Sequence, residues 1–177
     1  SHYPLGLAYL QSYLEHHRPE QDEFVNLYLN NADYETCYST LKKSLKEFKP
    51  DIFGVSIMTH SRVSAFRMIE YAHEHYPDMQ IVVGGMHVTV MWQQFAEQYP
   101  YVIIVRGEGE ETFHNLIQAL ENKDPIDKIP GLAYHDGEKV YTSGNGPLIE
   151  DINTLPFPKH ELFVSEGKTM ANLLTSR

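Results

Sequence analysis

The sequence predicts an α/β domain built on a doubly wound parallel sheet, of flavodoxin-like or Rossmann-like type. Two observations carry that expectation. Short β-type runs alternate with stretches of helical apolar spacing four times between residues 23 and 122. Strand followed by helix, repeated, implies parallel strands joined by right-handed crossovers. The run "DIFGVSIM" (51–58) is apolar almost throughout instead of alternating, as in a strand buried on both faces of a parallel sheet.

The elements follow in order. Leu5, Leu7, Ala8, Leu10 and Leu14 fall near helical spacing, with Pro4 suited to a first turn. "EFVNLYL" (23–29) alternates and reads as a strand. Residues 32–49 read as a helix with Leu41, Leu45 and Phe48 on one face, Asp33 as N-cap and Lys42, Lys43, Lys46 and Lys49 in the half where cations suit the dipole; Pro50 ends it. After the strand at 51–58 come a helix (61–76), a strand (80–85), a helix (88–99), a strand (101–107) and a helix (110–122) with Phe113, Leu116, Ile117 and Leu120 on one face. The pattern then changes. "GLAYHDGEKVYT" (131–142) reads as a β-hairpin turning at Asp136-Gly137. Residues 144–163 are Pro-rich and irregular, a linker or a surface strap. The expected divisions are thus an α/β domain over 1–122, a hairpin extension over 123–143 and a linker over 144–177. A doubly wound sheet ordinarily starts with a strand that comes to lie in its middle. This chain starts with a helix, so that first strand is expected upstream of Ser1.

Charge and composition exclude several functions. The formal net charge is −10, and the only basic run is Lys42, Lys43 and Lys46, which argues against a nucleic-acid partner. No segment approaches the roughly 20 apolar residues of a membrane span. "SHYPLGLAYL" lacks the basic region and cleavage site of a signal peptide. Cys37 is the single cysteine; it can form no internal disulfide and cannot hold an iron–sulfur cluster by itself, and a reducing cytoplasm is the expected compartment.

Open α/β sheets bind ligands outside the carboxyl ends of their strands. Three loops would share that edge: "MTHSR" (58–62), "GGMHVT" (84–89) and "RGEGEET" (106–112). Gly84 and Gly85 lack a Cβ, which permits either close approach of a ligand or a tight strand-to-helix turn. Gly107 and Gly109 open a helix, but Glu108, Glu110 and Glu111 would repel a phosphate, so neither a P-loop nor a dinucleotide fingerprint fits. Those carboxylates suit the helix N-terminus, or a cationic or hydroxyl-bearing group. His60 and His87 reach the same edge, as ligand contacts, metal ligands or plain loop contacts. Ser56, polar in an apolar strand, bonds backbone or faces a pocket. No nucleophile–base arrangement and no paired carboxylates stand at defined spacing, so no catalytic residue and no metal site are assigned. A phosphoacceptor role would need an aspartate closing a central strand, and Asp51 opens one.

Taken together, "YPLGLAYLQSYLE" (3–15), "PDIFGVSIMT" (50–59), "IVVGGMHVT" (81–89), "VRGEGEETF" (105–113), "IPGLAY" (129–134) and "LPFPKHELF" (155–163) resemble the N-terminal cobalamin-binding domain of cobalamin-dependent radical SAM enzymes. That group includes the anaerobic magnesium-protoporphyrin IX monomethyl ester cyclase and many radical methyltransferases. The resemblance covers essentially the whole chain. It implies that "KTMANLLTSR" (168–177) leads into the three-cysteine loop of a radical SAM domain, with its [4Fe-4S] cluster and SAM, and that a first strand precedes "YPLGLAYL". It also implies a corrin ring lying across the strand ends with its nucleotide tail base-off. By position in the motifs, Ser56, Met58, Thr59 and His60 match the loop beneath the corrin. Gly84 and Gly85 match the glycines beside the tail, His87 and Thr89 the Gly-Gly-x-His-x-Thr stretch, and Gly107, Glu108, Gly109 and Glu110 the Gly-Glu-Gly-Glu loop, which the resemblance places either at the corrin or facing the SAM domain. The Asp-x-His-x-x-Gly motif whose histidine ligates cobalt is missing: His2 and Gly6 are four apart and no aspartate precedes them. The implied partner is a catalytic domain in cis, and the chain by itself is expected to be inactive. The competing expectation is a cobalamin-free domain of the same fold that only packs on the catalytic domain.

Overall fold

The computed structural model describes residues 5–27 and 33–159. The readings placed on His2, Pro4, Tyr28, Leu29, the end of the Pro-rich stretch from His160 and the segment 168–177 lie outside them. The chain divides into two compact units, residues 1–37 with 149–177 and residues 38–148.

In the first unit, helix α1 spans Leu5–His17. Ala8 and Leu14 are fully buried, as the apolar spacing predicts. Polar Gln11, Ser12 and Arg18 are buried too, and each has partners, as burial of polar groups demands. The Ser12 hydroxyl donates to Ala8 O at 2.9 Å and accepts from the Lys159 N–H at 3.1 Å. Gln11 donates to Glu15 and accepts from Asn26, both at 2.6 Å. Arg18 forks onto the Asp22 carboxylate at 2.7 and 2.9 Å. The strand expected at 23–29 is not formed over its described part: residues 23–27 carry no regular structure. The alternation is real, with Phe24 half-buried and Val25 exposed, but a strand also needs a neighbour for its backbone groups, and none is present among the described residues.

Helix α2 spans Tyr34–Phe48. The Asp33 carboxylate caps it, accepting from the Thr36 N–H at 2.9 Å and the Thr36 hydroxyl at 2.8 Å. The second unit is built on a five-stranded sheet in the order β1-β2-β3-β4-β5: β1 Ile52–Ser56, β2 Gln80–Gly84, β3 Val102–Val105, β4 Leu132–His135 and β5 Val140–Thr142. The first three are parallel, with Ser56 opposite Gly84. The hairpin β4–β5 adds antiparallel to β3, Val105 pairing with Leu132. Helices α3 (Arg62–His75), α4 (Met86–Val90), α5 (Trp92–Gln98) and α6 (Glu110–Asn122) make the connections. The fold is therefore the expected α/β one, with a mixed open sheet.

Burial follows position in the sheet. On one face, Val82, Ile103, Val105 and Leu132 cluster with Leu116 of α6; on the other, Ile81, Val83, Val102 and Ile104 are fully buried. Each such side chain contributes about 1.5–3 kcal/mol. The strand β1 departs from expectation. Gly54 and Ser56 are exposed and Phe53 and Val55 only half-buried, because no described strand lies along its outer edge. The helix expected at 88–99 begins earlier, at Met86, and kinks at Met91 (φ −97°, ψ 22°). The Met91 N–H still bonds His87 O and the Phe95 N–H bonds Met91 O, both at 3.0 Å, so the kink bends one helical stretch into α4 and α5. The hairpin turns as predicted: the Asp136 carboxylate accepts the Glu138 and Lys139 N–H groups at 2.9 Å.

Candidate functional site

Three loops gather at the carboxyl edge of β1, β2 and β3. After β1, Ile57 is fully buried. Its N–H donates to Gly84 O at 2.8 Å and its carbonyl accepts from the His87 N–H at 3.2 Å. These bonds lock the first loop to the second. Met58 then enters a 3₁₀ turn, Thr59–Ser61, held by Ser61 Oγ near Met58 O (3.2 Å) and by the Arg62 guanidinium donating to Thr59 O at 2.6 Å. Ser56, Met58, Thr59 and His60 are left exposed.

The two glycines after β2 differ in kind. Gly85 has φ +97°, and a Cβ there would lie 2.7 Å from Ile57 O and 2.9 Å from Ile57 N. The fold itself requires a glycine at this turn. Gly84 has no such constraint: a Cβ would meet only Val105 O, at an ordinary 3.6 Å. From Gly85 the chain passes straight into α4, which buries Val88 and leaves His87 and Thr89 half-buried. Nδ1 of His87 and Oγ1 of Thr59 lie 3.4 Å apart, and Thr89 Oγ1 accepts from the Gly107 N–H at 3.3 Å. Those two contacts join the loops in series.

The third loop leaves β3 through Arg106. Gly107 (φ +81°) is exposed, Glu108 and Gly109 are half-buried, and the carbonyl of Gly109 accepts from the Phe113 N–H at 2.8 Å to open α6. Glu110 and Glu111 fall in its first turn, where carboxylates are favoured. The structure thus brings the predicted residues to one edge. Gly85 and Gly109 have structural duties there. Among the described residues no three His, Cys, Asp or Glu side chains converge as a metal site.

Sequence reading missed the apolar character of this edge. Met58 is 44% exposed, Val63 at the start of α3 58%, and Met86 and Val90 on α4 64% and 67%. Large apolar side chains left open together mark a ligand or partner surface. Met86 and Val90 are four apart, one helical turn, and placing the helix start at 88 hid that stripe. Arg106 was also missed. Its guanidinium lies 4.6 Å over the Trp92 ring, and burial pushes its pKa down. The loops after β1, β2 and β3 thus carry exposed apolar side chains (Met58, Met86, Val90), hydroxyl and imidazole groups (Thr59, His87, Thr89) and an uncrowded backbone at Gly84.

The sheet order and its crossovers define an α/β domain of the doubly wound type. Residues 1–117 match the model of the B12 binding domain family, and the chain belongs to that family. It is 31% identical over 180 residues to an uncharacterized methyltransferase, PH0819, of Pyrococcus horikoshii, covering 98% of this chain and 38% of that protein. It is 34% identical over 128 residues to the anaerobic magnesium-protoporphyrin IX monomethyl ester cyclase of Cereibacter sphaeroides, covering 70% of this chain and 21% of that one. Among solved structures it is similar to the cobalamin-dependent S-adenosylmethionine radical enzyme OxsB with aqua-cobalamin and S-adenosylmethionine bound, with TM-score 0.72 and 25% identity over 88% of this chain and 21% of that one. The fold is shared with the radical S-adenosylmethionine methyltransferase TsrM from Kitasatospora setae, TM-score 0.68 at 21% identity over 81% of this chain and 28% of that one. The chain spans 38% or less of the length of these proteins. No helix among the described residues is long and apolar enough to cross a membrane.

Proposed function

We propose that this chain carries cobalamin across the carboxyl ends of β1, β2 and β3, for a radical SAM catalytic domain in cis. Ser56, Met58, Thr59 and His60 lie beneath the corrin. Gly84 and Gly85 stand beside the nucleotide tail, held base-off. His87, Thr89, Gly107, Glu108 and Gly109 complete the surround. The observation that carries the reading is Gly84: it closes β2 at the carboxyl edge, where its backbone is uncrowded and a ligand can approach closely. The open apolar side chains on the same edge support it.

In this reading residues 1–122 with the hairpin 123–143 form the carrier, and 144–177 lead towards the catalytic domain. The [4Fe-4S] cluster and SAM belong to that domain. Bound cobalamin would supply methyl transfer or assist an oxidative cyclisation, with tetrapyrrole biosynthesis one setting. The carrier alone is inactive, and the single cysteine suits a reducing cytoplasm. The test is titration with hydroxocobalamin. Saturable binding with a base-off visible spectrum is expected. A folded chain that stays colourless after desalting would instead favour a cobalamin-free domain that packs on its catalytic neighbour.

A further inference from the structure

One side chain ties the edge together without belonging to the surround described above. Arg106 follows β3 directly. Its N–H donates to Gly131 O at 2.8 Å and its carbonyl accepts from the Gly146 N–H at 3.2 Å. Its guanidinium stacks 4.6 Å over Trp92, and one terminal nitrogen donates to Thr142 Oγ1 at 2.7 Å and Gly144 O at 3.2 Å. Its Nε is buried with no acceptor. No carboxylate among the described residues pairs with it.

A buried N–H left unmet is costly, and a carboxylate is the usual partner of a guanidinium fork; here the unmet N–H stands and no carboxylate among the described residues offsets it. What the site has is a guanidinium over an indole while one terminal nitrogen reaches β5 and the segment after it, a geometry that arginine meets fully and lysine only in part. Trp92 is the first residue of α5, immediately after the kink at Met91. Pinning Trp92 therefore sets the direction of α4, which carries His87 and Thr89. One residue beyond Arg106, the Gly107 N–H donates to Thr89 Oγ1. The kink is thus tethered at α5 through Trp92 and at α4 through Thr89.

We infer that Arg106 is a positioning residue: stacked on Trp92 and bonded to Thr142 and Gly144, it holds α4 and the Gly107–Gly109 loop in the arrangement that receives the cofactor, without touching the cofactor itself. The inference rests on the cobalamin reading above and adds a coupling that the reading does not contain.

Trp92 is the single tryptophan, so its emission reports the stack. The test compares wild type, Arg106→Met, Arg106→Lys, Trp92→Phe and the Arg106→Met/Trp92→Phe double variant. Circular dichroism follows folding, Trp92 emission follows the stack, and the visible corrin band follows hydroxocobalamin titration. Arg106→Met should shift Trp92 emission before any ligand is added and weaken binding about tenfold or more. Arg106→Lys, which keeps the cation, should recover part of the affinity. The double variant should bind no more weakly than the worse single one, because both substitutions break one contact. Should Arg106→Met fail to fold, a cycle of Arg106→Lys with Trp92→Phe makes the same comparison. Wild-type affinity in Arg106→Met, or losses that multiply in the double variant, would overturn the inference and leave the cobalamin reading standing. A folded wild type that binds no hydroxocobalamin would overturn both.

Discussion

A Cβ on Gly85 would lie 2.7 Å from the carbonyl oxygen of Ile57. The turn out of β2 is therefore closed to any side chain by the backbone of the loop that follows β1, while Gly84, one residue earlier, is open. The two glycines should respond oppositely. Gly85→Ala should cost roughly 2–4 kcal/mol from the positive φ and the clash together. Gly84→Ala should change stability by less than about 1 kcal/mol. Gly84→Val should weaken cobalamin binding more than any other single change on this edge. Urea midpoints and hydroxocobalamin titrations on the three variants check this. Unchanged affinity in Gly84→Val would remove the tail from this strand end.

Single polar contacts on this edge should matter less than the bare backbone at Gly84. His60→Ala, exposed and without a packing duty, should weaken cobalamin binding by roughly threefold to tenfold, the span of one hydrogen bond. Thr89→Val keeps the shape but releases the Gly107 N–H, and should cost on the order of 1 kcal/mol. The same titrations and thermal melts decide both.

Glycine turns elsewhere separate strain from collision. Gly131 (φ +85°) has Gly146 Cα 2.6 Å and Thr112 Oγ1 2.7 Å from where a Cβ would stand, whereas Gly137 (φ +102°), in the hairpin turn, faces open space. Gly137→Ala should cost only the backbone strain, about 1–2 kcal/mol. Gly131→Ala should cost clearly more, since Thr112 also holds Pro130 O at 3.0 Å. Equal losses in denaturant melts would contradict the packing described around Gly146.

Alkaline pH should destabilise the chain through Tyr99. Burial, then the Glu70 carboxylate that accepts its hydroxyl at 3.2 Å, pushes its pKa from 10.0 up to about 12. The folded state thus keeps a proton that the unfolded state releases above pH 10. Its contribution is complete below pH 10 and lost as the pH rises to about 12. A tenfold difference in proton affinity between the two states is worth about 1.4 kcal/mol, so the loss is on the order of 2 kcal/mol. Urea midpoints at pH 9 and 11.5 should fall further in wild type than in Tyr99→Phe; equal slopes would refute the assignment.

Much of this was legible in the sequence. Helices α2, α3 and α6 and strands β2 and β3 follow from apolar spacing, since their burial depends on elements close in the chain. The burial of β1 was misjudged because it depends on a strand alongside it, and none lies there among the described residues. The start of α4 was misplaced by two residues because the positive φ of Gly85 brings the helix in early. Arg106 and Trp92 stand far apart in sequence, just past β3 and on α5, and no local pattern announces their stack. That the three loops share the carboxyl edge of the sheet was legible through the strand-end rule, but the exposed apolar side chains on it appeared only with the true helix phase.

The most direct test of the central claim is the visible spectrum of the folded 177-residue chain after mixing with hydroxocobalamin and desalting, repeated on a longer protein that contains it. The account predicts a retained corrin band shifted to the base-off position, lost or weakened in Gly84→Val. A colourless protein fraction in both, with circular dichroism showing a folded α/β domain, would contradict it.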